Sequence, residues 1–134
     1  MLSLTKGRYA ARLAEGVADI EAAQRLRHRA FIAASGAVAR EDGLDRDRFD
    51  ETCDHVLVEE TRTGRLVCCF RMLILQDGAE ILRSYSAQYY ELSALADFRG
   101  RMVEMGRFCI HPACNDPDIL RIAWGAMTRV VKDE

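Results

Sequence analysis

An α/β (α+β) sandwich is predicted by three features of the 134-residue sequence. Strand-length apolar runs recur at Arg8–Leu13, His55–Glu60, Arg65–Leu75 and Arg101–His111. A helical repeat covers Asp19–Ala34, and an Asp-Pro pair at 116–117 opens a second helix. Two strands, a linker with helical character, another strand and a helix fit helices packed on a sheet, and the length fits one domain over residues 1–134.

In the first helix Ile20, Ala23, Ala30, Phe31 and Ala34 recur at three- and four-residue steps, which lines them on one face. Asp19 and Glu21 at its start and arginines further along suit the helix dipole, and Gly36 closes it. Arg40–Thr52 is polar, acidic and glycine-containing, so it reads as a loop with at most one helical turn. His55–Glu60 and Arg65–Leu75 flank Thr61-Arg62-Thr63-Gly64 and predict an antiparallel hairpin. After the Asp77-Gly78 break, Ile81–Tyr85 reads as extended, and Ser86 as the cap of a helix reaching about Phe98. Arg101–His111 is the next strand. Asp116 is a good N-cap, and Pro117 takes the first helical position that proline favours.

The chain is 49% hydrophobic and 30% charged, enough to bury a core and stay soluble. Its 19 Lys+Arg against 21 Asp+Glu give a net charge of -2, without the basic footprint of a nucleic-acid binder. No apolar run approaches the ~20 residues of a membrane span, and Met1–Arg12 does not read as a signal peptide. Five cysteines without a CxxC pair read as free thiols of a reducing cytoplasm. Cys109-x-His111-x-x-Cys114 groups three potential ligands, but no second cluster completes a tetrahedral metal set. His28 and His55 have no paired nucleophile, so no triad is indicated.

The informative residues are charges set where their elements want apolar side chains. Arg27 sits in the middle of the apolar stripe, four residues after Ala23 and four before Phe31. Placed there, it either pairs or lines a cavity, or it snorkels to solvent from the edge of the face. Arg71 interrupts a strand apolar on both faces, the pattern of a central strand, and wants a buried carboxylate or an anionic ligand; exposure at a sheet edge is the alternative. Glu104-Met-Gly-Arg107 alternates its two charges across the strand unless Gly106 marks a bulge. A bulge brings Glu104 and Arg107 to one side and splays the strand. The acidic loop holds Asp47 and Asp50 one helical turn apart. They either pair Arg27 and Arg71 or receive a cationic substrate.

Taken in order, Arg27-x-x-x-Phe31, Asp47-x-x-Asp50, Arg71 and Glu104-x-x-Arg107 resemble the pattern shared by acyl-homoserine lactone synthases and their relatives in the GNAT acyltransferase superfamily. The stretches Asp50-Glu-Thr-Cys-Asp-His-Val-Leu-Val58, Cys69-Phe-Arg-Met-Leu73, Tyr85-Ser86, Tyr90-Glu-Leu92 and Val103-Glu-Met-Gly-Arg-Phe-Cys-Ile-His-Pro112 are more similar to ornithine-acyl-ACP N-acyltransferases. Two departures accompany the resemblance. Ala37 stands where lactone synthases carry tryptophan, and the families continue past Glu134, which implies a truncated GNAT-like fold, its N-terminal part, with a mixed, mostly antiparallel sheet. The implied reaction moves a (3-hydroxy)acyl group from acyl carrier protein to the α-amine of ornithine, forming lyso-ornithine lipid. Glu104 is then the base and the backbone near Gly106 supplies oxyanion donors. Arg27, Phe31, Asp47, Asp50, Arg71 and Arg107 bind substrate, and Arg121, Arg129 and Lys132 meet the carrier protein. No cofactor or metal is implied. The donor is the carrier thioester, with acyl-CoA as the alternative because Ala113–Asp118 has no glycine and is acidic, a poor pyrophosphate cradle. A cytoplasmic location with contact at the inner membrane face follows from the lipid product. A lactone synthase and a non-catalytic binding module are the other readings.

Overall fold

The computed structural model describes residues 2–35 and 43–133. Five strands form one sheet in chain order: β1 (Ser3–Lys6), β2 (Tyr9–Leu13), β3 (Asp54–Glu60), β4 (Leu66–Leu75) and β5 (Met102–Ile110). Every pairing among them is antiparallel. Helix α1 (Val17–Ser35) packs on one face and α2 (Pro117–Asp133) on the other.

Strand β1 is an element the sequence pattern did not announce. Only Leu2 and Leu4 supply apolar surface there, and both pack into the α2 side of the core. The reversal to β2 pairs Lys6 with Tyr9 and leaves a two-residue turn whose first residue, Gly7, has φ 57°. That left-handed conformation is open to glycine at little cost.

Alternation in β3 and β4 sorts the core into two layers. Val56, Val58, Cys68, Phe70 and Met72 face α2, against Ile119, Ile122, Ala123 and Ala126. Leu57, Cys69 and Cys109 face α1, against Ala23, Leu26 and Ala30. Arg71 stands one pleat along this second face, in a row with His55 on β3 and Gly106 on β5. Glu104, opposite Leu73, belongs to the same face.

The bulge expected in β5 is present, with a different residue at its centre. Between the pairs Arg71↔Gly106 and Cys69↔Cys109, β4 advances two residues and β5 three. The extra residue is Arg107, at φ 50°, whereas the sequence pointed to the glycine before it. A left-handed non-glycine residue costs about 1–2 kcal/mol. The extra residue keeps Phe108 on the α2 side, stacked on Phe70, and leaves Arg107 beside Glu104 and Gly106 on the α1 side.

Residues 76–101 depart most from the sequence expectation. The extended Ile81–Tyr85 and the helix from Ser86 are replaced by three 3₁₀ turns: Gly78–Arg83, Ser86–Gln88 and Ser93–Leu95. The segment buries few of its side chains: Tyr89, Tyr90, Leu95 and Phe98 are exposed, so no apolar stripe rewards a continuous helix. Its ends are clasped instead by Gly78 N–H donating to Phe98 O at 2.9 Å, while Ile81 packs on Leu73 and Leu75.

Helix α2 begins as expected. Asp116 Oδ1 accepts from Asp118 N–H at 3.0 Å, and Pro117 is the first helical residue. Gly36 and Ala37, with Arg40–Asp42 of the polar loop, lie outside the described residues.

At Gly78 a methyl group would run into the carbonyl oxygen of Leu95 and press on Ala96. We therefore expect Gly78→Ala to destabilise the fold by about 1–3 kcal/mol, seen as a lower midpoint in urea unfolding. An unchanged midpoint would show that the clasp gives way without cost.

Candidate active site

Three arginines and three aspartates converge on the α1 face of the sheet. Arg27 from α1 and Arg71 from β4 are 1% and 3% exposed, and Asp50, in the 3₁₀ turn Arg48–Glu51, is 4% exposed. Asp50 Oδ1 accepts from Arg27 Nη1 at 2.7 Å and from Arg71 Nη1 at 2.9 Å. Its Oδ2 accepts from Arg27 Nη2 at 2.8 Å and from Gln24 Nε2 at 3.0 Å. Asp47 holds Arg71 in a two-pronged pair, at 2.6 Å from Nη1 and 2.9 Å from Nη2. Arg27 also donates from Nε to Asp45 Oδ2 at 3.0 Å and from Nη2 to the Asp45 carbonyl. Of the two readings open for Asp47 and Asp50, the fold adopts the arginine pairs.

The same two aspartates shape the loop that carries them. Asp47 Oδ1 accepts from Phe49 N–H at 2.9 Å, and Asp50 Oδ2 accepts from Asp47 N–H at 3.3 Å, a reciprocal capping box around one turn. His55, in Arg71's row, donates from Nε2 to the Asp50 carbonyl at 2.8 Å. The acidic turn is thus tied to α1, β3 and β4 at once.

Burial alone would raise the carboxyl groups of Asp50 and Asp47. For Asp50 the hydrogen bonds from Arg27, Gln24 and Arg71 outweigh it, and for Asp47 those from Arg71 do, so both fall below the usual carboxylate range. Burial opposes the charge on Arg27 and Arg71, and the aspartates again prevail, holding both guanidinium groups above their ordinary value.

Beside this network lies a cavity of about 300 Å³. Arg71, Glu104, Gly106 and Arg107 line it together with Phe31, Phe49, Tyr85 and Ser86. The Arg71 guanidinium carbon lies 5.6 Å from both the Phe49 and Tyr85 rings, and that of Arg107 lies 5.7 Å from Phe31 and 5.5 Å from Tyr85. Arg107 reaches Asp47 Oδ2 at 3.4 Å and Asp45 Oδ2 at 3.8 Å. Glu104 differs from the other acids: Oε1 accepts from Tyr85 N–H at 2.7 Å and Oε2 from Ser86 N–H at 2.9 Å. Both N–H groups come from the junction where an extended stretch ending at Tyr85 and a helix capped by Ser86 were expected. Cys53 also borders the cavity, but burial pushes its thiol up to about 11, so it stays protonated at neutral pH and is a weak nucleophile.

The cavity thus gathers Glu104, Gly106, Arg71, Arg107 and Phe31 of the residues singled out from sequence. Asp50 and Arg27, expected to touch substrate, are enclosed behind its wall with their polar groups already engaged. Arg121, Arg129 and Lys132 lie exposed on α2, the first paired with Asp118 at 2.7 Å. Arg121 and Lys132 are about 16 Å apart along the helix, at 1.5 Å per residue. Phe49 and Tyr85 were given no role from sequence, and neither was Ser86, because nothing in their spacing separates a cavity wall from ordinary core or loop. Cys109, from the weighed metal set, points its thiol at Cys69 Sγ, 3.5 Å away, whereas His111 turns toward Arg29 and Arg65.

The fold and the bulged strand beside a charged cavity define an acyltransferase-type domain. The family profile described as "Acetyltransferase (GNAT) domain" matches residues 26–125, and the chain belongs to that family. Among proteins of similar sequence, an L-ornithine N(alpha)-acyltransferase of Rhodobacter capsulatus is 33% identical over 132 residues, covering 92% of this chain and 51% of that protein. One of Brucella abortus is 33% identical over 124 residues, covering 84% of this chain and 44% of its own length. The chain spans about half the length of these relatives. Among solved structures, the acyl-homoserine lactone synthase LasI superposes with a TM-score of 0.62 over 91% of this chain and 65% of its own, at 20% identity, a likeness of fold.

Replacing Asp50 by Asn leaves the buried Arg27 without its main counter-charge, an expected loss of about 3–5 kcal/mol of stability in urea unfolding at neutral pH. An effect below about 1 kcal/mol would contradict a stabilising pair. Both aspartates are depressed in the folded state, so their contribution is full above the unfolded-chain value near pH 4 and is lost as pH falls below it. The wild-type stability curve should fall through that window more steeply than that of the Asp50→Asn variant. Equal slopes would remove Asp50 as the source.

Proposed function

We propose that this chain carries the catalytic core of an N-acyltransferase that moves a (3-hydroxy)acyl group from acyl carrier protein to the α-amine of ornithine, giving lyso-ornithine lipid. The observation that carries the reading is the state of Glu104. Three arginines balance Asp45, Asp47 and Asp50 in the network, whereas Glu104 faces the cavity with backbone N–H partners among the described residues. Its charge is the one left to meet a cationic amino acid. The names of the relatives supply the acceptor.

In this reading ornithine enters as a cation, its carboxylate oriented by Arg71 and Arg107 and its ammonium held toward Glu104. The ammonium first loses one proton to solvent; as the neutral α-amine attacks the thioester carbonyl, Glu104 takes the second, directly or through one water. The C–N bond forms, the C–S bond breaks, and the proton passes to the departing carrier thiol. Backbone N–H groups on the outer side of β5 near Gly106 stabilise the oxyanion. Phe31 shapes the pocket wall. Asp47, Asp50 and Arg27 act through Arg71, fixing its position.

The start of α2 supports a carrier-protein donor over coenzyme A. Asp116 places a carboxylate at the helix N-terminus, where it accepts from Asp118 N–H and also from Arg8 at 2.6 Å and Tyr9 OH at 3.0 Å. A pyrophosphate needs those free N–H groups and is repelled by that charge. The exposed Arg121, Arg129 and Lys132 are then the dock for an acidic carrier. No helix among the described residues is long and apolar enough to cross a membrane; the lipid product suits peripheral contact at the inner membrane face from the cytoplasm.

Mass spectrometry of reactions containing ornithine and 3-hydroxyacyl carrier protein tests the proposal, run with this chain and with the protein of the relatives' full length. Acyl-ornithine is the expected product, reduced by about 10²-fold or more in Glu104→Gln. Product at the wild-type rate in that variant would overturn the role of Glu104, and no product from either wild-type protein would overturn the substrates.

A further inference from the structure

A second concavity, of about 570 Å³, lies between α1 and the ends of the central hairpin, with Arg25, Arg29, Arg65 and His111 around Leu26 and Leu66. His28 completes its polar lining. His111 Nδ1 accepts from Ala113 N–H at 3.1 Å. A neutral imidazole that accepts at Nδ1 carries its proton on Nε2. Burial, Arg65 and Arg29 all hold His111 below its ordinary value, which favours that neutral form. Arg29 Nη1 nevertheless stands 3.2 Å from Nε2, so one N–H donor faces another. Arg65 Nη2 lies 3.3 Å from the accepting Nδ1 and 3.5 Å from Nε2.

Among the described residues, neither Arg29 nor Arg65 has a carboxylate within ion-pair distance, and Arg25 has Glu21 at 3.8 Å. Two guanidinium groups meet an imidazole whose accepting Nδ1 is already engaged by Ala113 N–H, and an oxyanion between them accepts from both arginines and from Nε2–H. The contrast with the active site is direct, because there every arginine of the network has an aspartate.

We propose that Arg29, Arg65 and His111 form a binding site for a phosphoryl group, a phosphate monoester or diester. A tetrahedral anion offers several lone-pair directions, enough for two guanidinium groups and Nε2–H together. His111 follows Gly106 by five residues along β5 and its exit, about 17 Å at strand rise. An extended pantetheine arm covers such a span, so the phosphodiester of a carrier arm is one source of the group, and free phosphate is the other. The site stands on its own geometry, whatever amine is acylated.

The test is ¹⁵N NMR of the His111 ring in this chain, titrated separately with inorganic phosphate, 4′-phosphopantetheine and pantetheine. Saturable shifts of Nε2 with the two phosphorylated probes and none with pantetheine are expected, weakened about tenfold or more in the Arg29→Gln, Arg65→Gln double variant. Both arginines are exposed, so the variant should fold. Tighter binding of 4′-phosphopantetheine than of phosphate supports the site and assigns it to the carrier arm; equal affinity supports it and assigns it to free phosphate. No shift with either, or shifts unchanged in the double variant, would overturn the site. Because no acyl transfer is measured, this outcome is separable from the fate of the proposed reaction.

Discussion

Asp50 is buried in a region that also takes in two guanidinium groups, and an ion removed from water at such a position costs several kcal/mol unless its partners are in place. The consequence runs through most of the α1 face. Arg27 must come from α1, Arg71 from β4 and the carboxylate from the turn between α1 and β3, so none of these elements can dock without the others. The reciprocal cap between Asp47 and Asp50 makes the turn rigid enough to present both carboxylates together. Whether the network adds net stability over an apolar core is secondary to its geometric effect: it admits one arrangement of helix, turn and strand.

The bulge at Arg107 works on the other side of the same problem. In an unbroken strand Glu104 and Arg107 would face opposite sides of the sheet, and Arg107 would displace Phe108 from its stack on Phe70. One extra residue, accommodated at the energetic cost of a left-handed arginine, brings both charges to the α1 face without disturbing the α2 face. The cavity then has a carboxylate on backbone donors beside guanidinium groups set among aromatic rings. Backbone geometry therefore decides the chemistry of this wall as much as residue identity does.

The two donor-lined regions of the α1 face differ in their partners. Around the cavity the arginines are neutralised by aspartates, whereas Glu104 lines the wall on backbone N–H donors. At the far end of β5 neither Arg29 nor Arg65 has a carboxylate within ion-pair distance among the described residues. One face of one sheet thus carries a carboxylate beside paired arginines at one end and two guanidinium groups around an imidazole at the other.

The sequence by itself determined the elements whose side chains alternate or recur, because burial imposes those periods: β3, β4, β5, α1 and the Asp-Pro start of α2. It also marked Arg27, Arg71, Glu104 and Arg107, since a charge within an apolar period is visible without coordinates. Tertiary structure alone decided the rest. Asp50 is joined to partners 21 and 23 residues away, and spacing could not separate a solvated acidic loop from a buried one. Strand β1 is too polar for its period to show, and it exists because α2 covers Leu2 and Leu4. Tyr85 read as the end of an extended stretch and Ser86 as the cap of a helix, but Glu104, 18 and 19 residues on, takes their N–H groups. Local preference is worth tenths of a kcal/mol per residue, and a long-range contact with a carboxylate outweighs it.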